Sequence, residues 1–127
     1  MPAHHNNHED PSLLEQVLRF HSDFRTRLLP LRVTPLQGGA LLYLHRHVDA
    51  KLIEAAAALR VQSPTLAEVM KDMVRKGWVS KRWSAQDQRA VCLQLTPQGQ
   101  VLAQKIGDQV RRSQADIGQR LAKGTPR

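Results

Sequence analysis

The side chains in this chain that are best suited to chemistry are cations, and many of them fall in one stretch. Of the 127 residues, 19 are Lys or Arg and 11 are Asp or Glu, which gives a net charge of +8 and an isoelectric point near 10.6. Residues 60–90 hold seven of the cations against three carboxylates. Such a concentration of positive charge attracts phosphate, so the expected partner is anionic, and nucleic acid is favoured over a membrane surface.

Helical periodicity within residues 61–79 predicts an element that could present several of these groups. One side of this helix would carry Leu66, Val69, Met70 and Met73, and the other Thr65, Glu68, Lys71, Asp72 and Arg75. Ser63 is the predicted N-cap, Pro64 suits the first turn, and Gly77 allows a left-handed stop. The sequence therefore predicts a helix that buries its apolar face and presents its polar face.

Two β-like runs follow this helix and a shorter helix precedes it. Residues 78–83 and 90–95 are joined by the polar loop 84–89, a pattern typical of a hairpin. In the second run Cys92 falls on the less apolar face, where a small hydrophobe is favoured over a redox thiol. A helix from Ala50 to Leu59, capped by Asp49, completes the unit, because two helices joined by a tight turn and backed by a hairpin form a winged helix-turn-helix.

Further helices are predicted on both sides of this unit. Ser12 and Glu15 form a capping box for a helix of about 16 residues, and Thr34 and Gln37 form a second box. The last helix begins at Pro97, is about 25 residues long, and carries Leu102, Ile106, Val110, Ile117 and Leu121. Glycines at 38 and 39 weaken the second helix by about 1 kcal/mol each relative to alanine, which close approach of another backbone would explain.

The first and last helices are predicted to form a homodimer. Leu14, Leu18 and His21 widen the apolar stripe of the first helix, and the last helix has little of its own chain to pack on. The predicted organisation is a flexible tail at 1–11, one winged-helix domain at 12–122 and a tail at 123–127. Within the domain, 12–33 and 97–122 are the dimerisation helices and 34–96 the DNA-binding winged helix.

Other function classes find little support in these residues. No Ser/His/Asp, Cys/His or paired-carboxylate spacing and no glycine-rich phosphate loop is present, so neither an enzyme nor a cofactor is predicted. His4, His5 and His8 have no carboxylate or thiolate at fixed spacing, so no metal site is predicted. A single cysteine, no secretory signal and no apolar run of about 18 residues predict a cytoplasmic protein without a membrane span.

The order and spacing of these motifs resemble the MarR family of winged-helix transcription regulators over about residues 12–106. The most specific part is Asp87-Gln88-Arg89 followed by Leu95-Thr96-Pro97-Gln98-Gly99. It is similar to the family's Asp-x-Arg wing tip and the Leu-Thr-x-x-Gly that follows the second wing strand. Thr34 with Gln37, Pro64-Thr65, and Lys76-Gly77 with Val79 add to the resemblance.

The resemblance implies a homodimer that binds a palindromic operator, most often as a repressor, with recognition helices in successive major grooves and wings in the flanking minor grooves. The implied DNA-binding residues are Ser63, Pro64, Thr65, Ala67, Glu68, Lys71, Lys81, Arg82, Asp87 and Arg89. An arginine such as Arg89 on a narrow loop can enter the minor groove, where Asp87 would hold its guanidinium. The resemblance also implies a cleft near position 38 for a small lipophilic or phenolic effector.

Several positions depart from the family's pattern and leave a second function open. Ser63 and Glu68 stand where the family often places arginine, Ala67 replaces a common serine, Gln88 replaces one wing arginine, and the glycines at 38 and 39 replace an aromatic residue and an arginine. Glu68 can accept a hydrogen bond from cytosine N4, yet it repels phosphate. The alternative is a winged-helix protein-interaction module, or an antagonist of a related regulator, with little sequence-specific DNA binding.

Overall fold

The computed structural model describes residues 12–84, 86 and 90–124, with side chains as far as Asp116 in the last helix. Its elements are α1 (Leu13–Leu28), α2 (Pro35–Arg46), β1 (Ala50–Lys51), α3 (Leu52–Leu59), α4 (Ser63–Arg75), β2 (Val79–Trp83), β3 (Val91–Leu95) and α5 (Pro97–Gly124). The predicted tail at 1–11 and residues 125–127 lie outside the described part. Within the described part, no helix has the length and hydrophobicity needed to span a membrane.

Local signals place the starts of α1 and α2 where the sequence predicts them. The Ser12 hydroxyl accepts a hydrogen bond from the Glu15 N–H at 3.2 Å, and the Glu15 carboxylate accepts one from the Ser12 N–H at 3.3 Å. The hydrogen bonds that Ser12 donates lower the pKa of Glu15. Thr34 and Gln37 repeat this arrangement at 3.1 and 3.0 Å. Both predicted capping boxes are confirmed.

The start of the helix-turn-helix differs from the prediction. Asp49 does not cap a helix that begins at Ala50, because its backbone is left-handed with φ at 58° and the next two residues form strand β1. Aspartate is among the few residues besides glycine that tolerate this conformation. Likewise Gln62, not Ser63, is the N-cap of α4, and its carbonyl accepts the Leu66 N–H at 3.0 Å. Pro64 then takes the second helical position, where a backbone N–H has no intrahelical partner.

The strands form one antiparallel sheet in the order β1-β3-β2. Strand β3 is therefore paired on both edges, so that Cys92 lies between Lys51 of β1 and Arg82 of β2. The prediction that Cys92 lies on a less buried face is wrong, since Cys92 and Leu93 are both buried although they point to opposite faces. A central strand can be covered on both faces, whereas the sequence pattern predicted only a two-stranded hairpin.

Helix α2 lies at the centre of the core. The fully buried large side chains around it come from three other elements, α4, β3 and α5, and include Leu66, Met70, Met73, Leu93 and Ile106. Gly38 is buried in this helix, and a Cβ there would lie 3.2 Å from Leu28 Cδ1 and 3.5 Å from Ile106 Cγ2. The missing side chain thus leaves room for side chains of α1 and α5, rather than for the neighbouring backbone that the sequence pattern indicated.

A polar cluster joins α1 to α5. Arg27 forms ion pairs with Asp23 in its own helix, at 3.2 Å, and with Asp116 in α5. Ser113, which is fully buried in α5, donates a hydrogen bond to Asp23. Breaking a hydrogen bond that satisfies a buried hydroxyl costs its desolvation, so these contacts hold the two helices together. The first and last helices therefore pack together within one chain.

Candidate nucleic-acid interface

Helix α4 presents a continuous polar face to solvent. Thr65, Glu68, Lys71 and Arg75 are exposed and follow one another at intervals of three or four residues. The opposite face carries Leu66, Met70 and Met73, each at most 1% exposed, so the helix cannot rotate without exposing its core side chains. The predicted division of α4 into a buried and a presented face is confirmed.

Ion pairs within α4 neutralise much of the charge on this face. Lys71 Nζ lies 3.4 Å from Glu68 Oε2, and Arg75 Nη2 lies 2.6 Å from Asp72 Oδ1. Lys76 Nζ lies 3.2 Å from the other oxygen of Asp72. The hydrogen bonds with Arg75 and then Lys76 lower the pKa of Asp72. The helix therefore presents paired charges rather than a uniformly positive surface.

Asp72 also ties α4 to the start of α2. Its Oδ2 atom accepts a hydrogen bond from Gln37 Nε2 at 3.1 Å, while the Gln37 side-chain oxygen accepts from the Thr34 N–H. One glutamine side chain thus completes a capping box and contacts the recognition helix. The contact fixes the C-terminal half of α4 relative to the core.

The exit of α4 is held by the Leu-Thr-Pro-Gln-Gly motif. Gly77 adopts a left-handed φ of 83°, and its carbonyl accepts a hydrogen bond from the Thr96 hydroxyl at 2.7 Å. The same hydroxyl accepts the Gly99 N–H at 3.0 Å, and the Trp78 carbonyl accepts the Thr96 N–H at 3.0 Å. A Cβ on Gly99 would lie only 2.0 Å from the Trp78 carbonyl oxygen. The motif therefore clamps the start of α5 to the end of α4, a contact that only glycine permits.

The wing places two predicted DNA-binding residues, Lys81 and Arg82, on opposite faces of exposed strand β2. Arg82 Nη2 lies 2.6 Å from Asp49 Oδ1, in the left-handed turn before β1. The hydrogen bond with Asp49 raises the pKa of Arg82. Arg82 thus reaches across the sheet from β2 to the far side of β3.

The structure describes eight of the ten residues that the sequence assigned to the interface, and their roles in DNA binding stay predictions. In α4, Pro64, Thr65, Glu68 and Lys71 are exposed, whereas Ser63 and Ala67 are half-buried. Lys81 and Arg82 lie on the wing. Asp87 and Arg89, with Gln88 between them, lie outside the described residues, so the roles assigned to the wing tip stay predictions.

The list of implied DNA-binding residues left out Arg75 and Asp49, which lie next to residues that it includes. Arg75 lies four residues after Lys71 on the same exposed face, a spacing that would have included it. Asp49 holds Arg82, but the sequence carries no signal for this pair, because the two residues become neighbours only through the sheet.

A cleft of about 500 Å³ lies between α2 and α5. Its walls include Leu42, Ala103 and Val110, with the cations Arg46 and Arg111 and with His45 at its edge. Gly38 does not line this cleft, because it is buried beside Leu28 and Ile106, and the effector site implied near position 38 stays a prediction. Among the residues that the structure describes, no three His, Cys, Asp or Glu side chains are grouped to hold a metal ion.

The family model for MarR matches residues 33–91, from the start of α2 to the second wing strand. The winged helix-turn-helix of this chain is that of the MarR family. Within this family the winged helix-turn-helix is a DNA-binding module of transcription regulators rather than of enzymes, and this chain is such a DNA-binding regulator. The predicted fold class, mainly α with a β wing, is confirmed, with β1 as a third strand.

Solved structures of three proteins show the same fold over most of the chain. The MepR–DNA complex of Staphylococcus aureus matches with a TM-score of 0.78 and 22% identity, covering 87% of this chain and 84% of that one. The transcriptional repressor CouR bound to a 23-mer DNA duplex matches with a TM-score of 0.78 and 25% identity, covering 86% of this chain and 77% of that one. Wild-type MarR of E. coli in its apo form matches with a TM-score of 0.77 and 22% identity, covering 91% of this chain and 87% of that one.

Proposed function

We propose that this MarR-family regulator is a homodimeric repressor that binds a palindromic operator in double-stranded DNA. The observation that carries the proposal is the exposed polar face of α4, which is held at its exit by the Thr96 and Gly99 clamp. A recognition helix needs a rigid support because its side chains must meet base edges at hydrogen-bond distance. MepR and CouR, which share this fold, were each solved bound to DNA, and CouR is described as a repressor.

The homodimer is supported by the outer edge of α1. Leu13, Leu14, Val17 and Leu18 are 75%, 67%, 49% and 59% exposed, and they form one stripe along two turns of the helix. An apolar stripe of this kind is typical of a surface that a partner covers. A second copy would bury it and would set two recognition helices at a fixed separation, as a palindromic operator requires.

Selection of bound duplexes from a random library, at stated salt, tests the proposal directly. Two inverted half-sites with centres about 10 base pairs apart, or a multiple of that spacing, are expected in the enriched sequences. Light scattering on the free protein should give twice the chain mass of 14.3 kDa. Failure to enrich any paired motif at low or physiological salt would contradict the proposal.

We further propose that a small lipophilic or phenolic anion relieves DNA binding from the cleft between α2 and α5. The cleft combines the apolar walls of Leu42 and Val110 with the guanidinium groups of Arg46 and Arg111, and Asp108, which also lines it, forms an ion pair with Arg111. Benzoate should weaken operator binding in an anisotropy titration, while benzyl alcohol, the neutral control, should have a smaller effect. Equal or absent effects of the two compounds would contradict this role of the cleft.

A protein-interaction module remains a second candidate, and the ion pairs within α4 favour it. Lys71, Arg75 and Lys76 each have a carboxylate partner on the same helix, which reduces their attraction for phosphate. The two functions differ in the dependence of DNA affinity on salt. A DNA-binding dimer should lose affinity steeply, with a slope of about −0.9 per neutralised phosphate in a plot of log affinity against log salt. A protein-binding module need show no such slope.

A further inference from the structure

Glu68 and Lys71 form an exposed acid–base pair on either side of the middle of α4 (Ser63–Arg75). Their side chains are 75% and 63% exposed, and Lys71 Nζ lies 3.4 Å from Glu68 Oε2. Neither residue belongs to the core side of the helix, where Leu66 and Met70 are buried. In helix-turn-helix proteins the N-terminal part of the recognition helix contacts base edges. Glu68 lies in this N-terminal half, and Lys71 follows it by three residues on the same exposed face.

The Glu68 carboxylate restricts which DNA base can lie opposite it. An ionised carboxylate only accepts hydrogen bonds, and the major groove offers donors only at cytosine N4 and adenine N6. In adenine the donor is next to the N7 acceptor, which repels a second carboxylate oxygen, whereas cytosine has no acceptor beside N4 on this edge. Phosphate oxygens also repel the group. Cytosine is thus the base that Glu68 fits best.

Lys71 can donate a hydrogen bond to the guanine that pairs with this cytosine. Guanine presents O6 and N7 as acceptors in the major groove, and lysine is a common donor to them. In a C·G pair, guanine O6 and cytosine N4 are themselves joined by a hydrogen bond of about 2.9 Å. The separation of 3.4 Å between the Lys71 donor and the Glu68 acceptor is close to that value. The Lys71 donor can therefore face guanine O6 while the Glu68 acceptor faces cytosine N4 of the same base pair.

We propose that Glu68 and Lys71 act together to read one C·G base pair in each half-site of the operator. This inference rests on the proposed function, since it requires that α4 enters the major groove. It assigns Glu68 a specificity-determining role in place of a purely repulsive one. Lys71 balances the negative charge of the Glu68 carboxylate, because its ammonium remains beside Glu68 when both enter the groove.

The first test uses the wild-type chain. Random-library selection should enrich one invariant C·G pair in each half-site, and replacing that pair with T·A, A·T or G·C should weaken binding by about 5- to 150-fold per half-site. Replacement of a pair outside the enriched motif serves as the control. Affinities are compared at one salt concentration, because phosphate contacts contribute equally to all duplexes.

The second test changes the proposed reading group. Glu68→Gln gives a side chain that both donates and accepts, and glutamine pairs with adenine N6 and N7. The variant should shift the preference at that position from cytosine to adenine and leave the other positions unchanged. Glu54→Gln is the matched control, because Glu54 of α3 accepts the Lys51 N–H at 3.2 Å, a bond that an amide oxygen can keep. It removes the same charge from the helix-turn-helix and should not alter any base preference.

The third test separates Lys71 from general attraction to DNA. Lys71→Gln should reduce the discrimination at the C·G pair and also lower the slope of log affinity against log salt. Lys105→Gln, which changes an exposed cation on α5, should leave the C·G discrimination intact. Thermal unfolding followed by circular dichroism should show that each variant keeps the wild-type fold.

The results separate this inference from the function on which it rests. If Glu68→Gln changes affinity for every duplex by the same factor, Glu68 acts only through phosphate repulsion and the inference is wrong. The same conclusion follows if the wild-type motif contains no position whose preference depends on residue 68. If the wild-type chain enriches no motif at all, the proposed operator binding itself is contradicted.

Discussion

The outward face of α4 and the outer edge of α1 are both exposed, but their chemistry differs. The face of α4 is polar, its cations are paired with carboxylates, and its support is fixed by the clamp at Gly77 and Thr96. The edge of α1 is apolar over two turns, and its side chains Leu13, Leu14, Val17 and Leu18 are 49–75% exposed. A neutral polar face can bind and release DNA, whereas an apolar edge is stable only when it is covered.

The functions proposed for the two regions therefore depend on different physical properties. The α4 face depends on precise side-chain positions, so small changes in its support should reduce DNA binding. The α1 edge depends on apolar area, so substitutions there should affect the assembly before they affect the fold of one chain. The following predictions test this division, from the largest expected effect to the smallest.

Gly99→Ala should remove the support of α4. A Cβ at this position would lie 2.0 Å from the Trp78 carbonyl oxygen, which belongs to the backbone and cannot move as a flexible side chain would. The free energy of unfolding should fall by about 3 kcal/mol, measured by urea denaturation.

Gly39→Ala is the control for this substitution. Its Cβ would lie 3.8 Å from Leu59 Cδ2, an ordinary contact, and alanine within a helix is favoured over glycine by about 0.5–1 kcal/mol. A similar loss of stability in both variants would show that the clamp at Gly99 is not the cause.

Replacing Leu14 and Leu18 with glutamate should separate the dimer. Burial of one leucine contributes about 1.5–3 kcal/mol, so self-association should weaken by about 100-fold or more. Light scattering should then give the mass of one chain, 14.3 kDa, while circular dichroism remains helical. Val48→Glu is the control, because Val48 is 74% exposed but lies outside α1. If light scattering gives the same assembly mass for the Leu14 and Leu18 variant as for Val48→Glu, the assignment of α1 to the interface is contradicted.

Arg89→Ala should weaken operator binding by about 1–3 kcal/mol without changing the mass of the assembly. The expected reason is the loss of an arginine from the minor groove, where the negative potential is greatest. Fluorescence anisotropy with the selected operator measures the change. Unchanged affinity would remove the wing tip from the interface and leave α4 as its main part.

Asp72→Asn should have the smallest effect on stability, and this effect should depend on pH. The pKa of Asp72 is lowered by Arg75 and Lys76, so its stabilising effect is present above the ordinary value of 3.8 and is lost as the pH falls through the lowered value. The difference in unfolding midpoint between wild type and variant should therefore shrink as the pH is lowered. A difference that is constant with pH would show that the charge of Asp72 is not involved.

Short-range patterns predicted much of this structure correctly. The capping boxes of α1 and α2, the buried stripe of α4 and the left-handed stop at Gly77 all depend on residues within about one helical turn of each other. The pattern around Asp49 was misinterpreted, because strand β1 exists only through its pairing with β3. The burial of Cys92 was missed for the same reason, since a hairpin alone leaves one face of its strands less covered.

The sequence by itself determined the main helices and the two strands of the hairpin, which face of α4 is apolar, and where positive charge is concentrated, because periodicity, capping and composition are local properties. The tertiary structure alone decided that Gly99 lies against the Trp78 carbonyl, that Asp49 holds Arg82, and that Asp72 links α4 to Gln37. These contacts join residues far apart in the chain. Their geometry follows from how the core packs, and no local pattern encodes it.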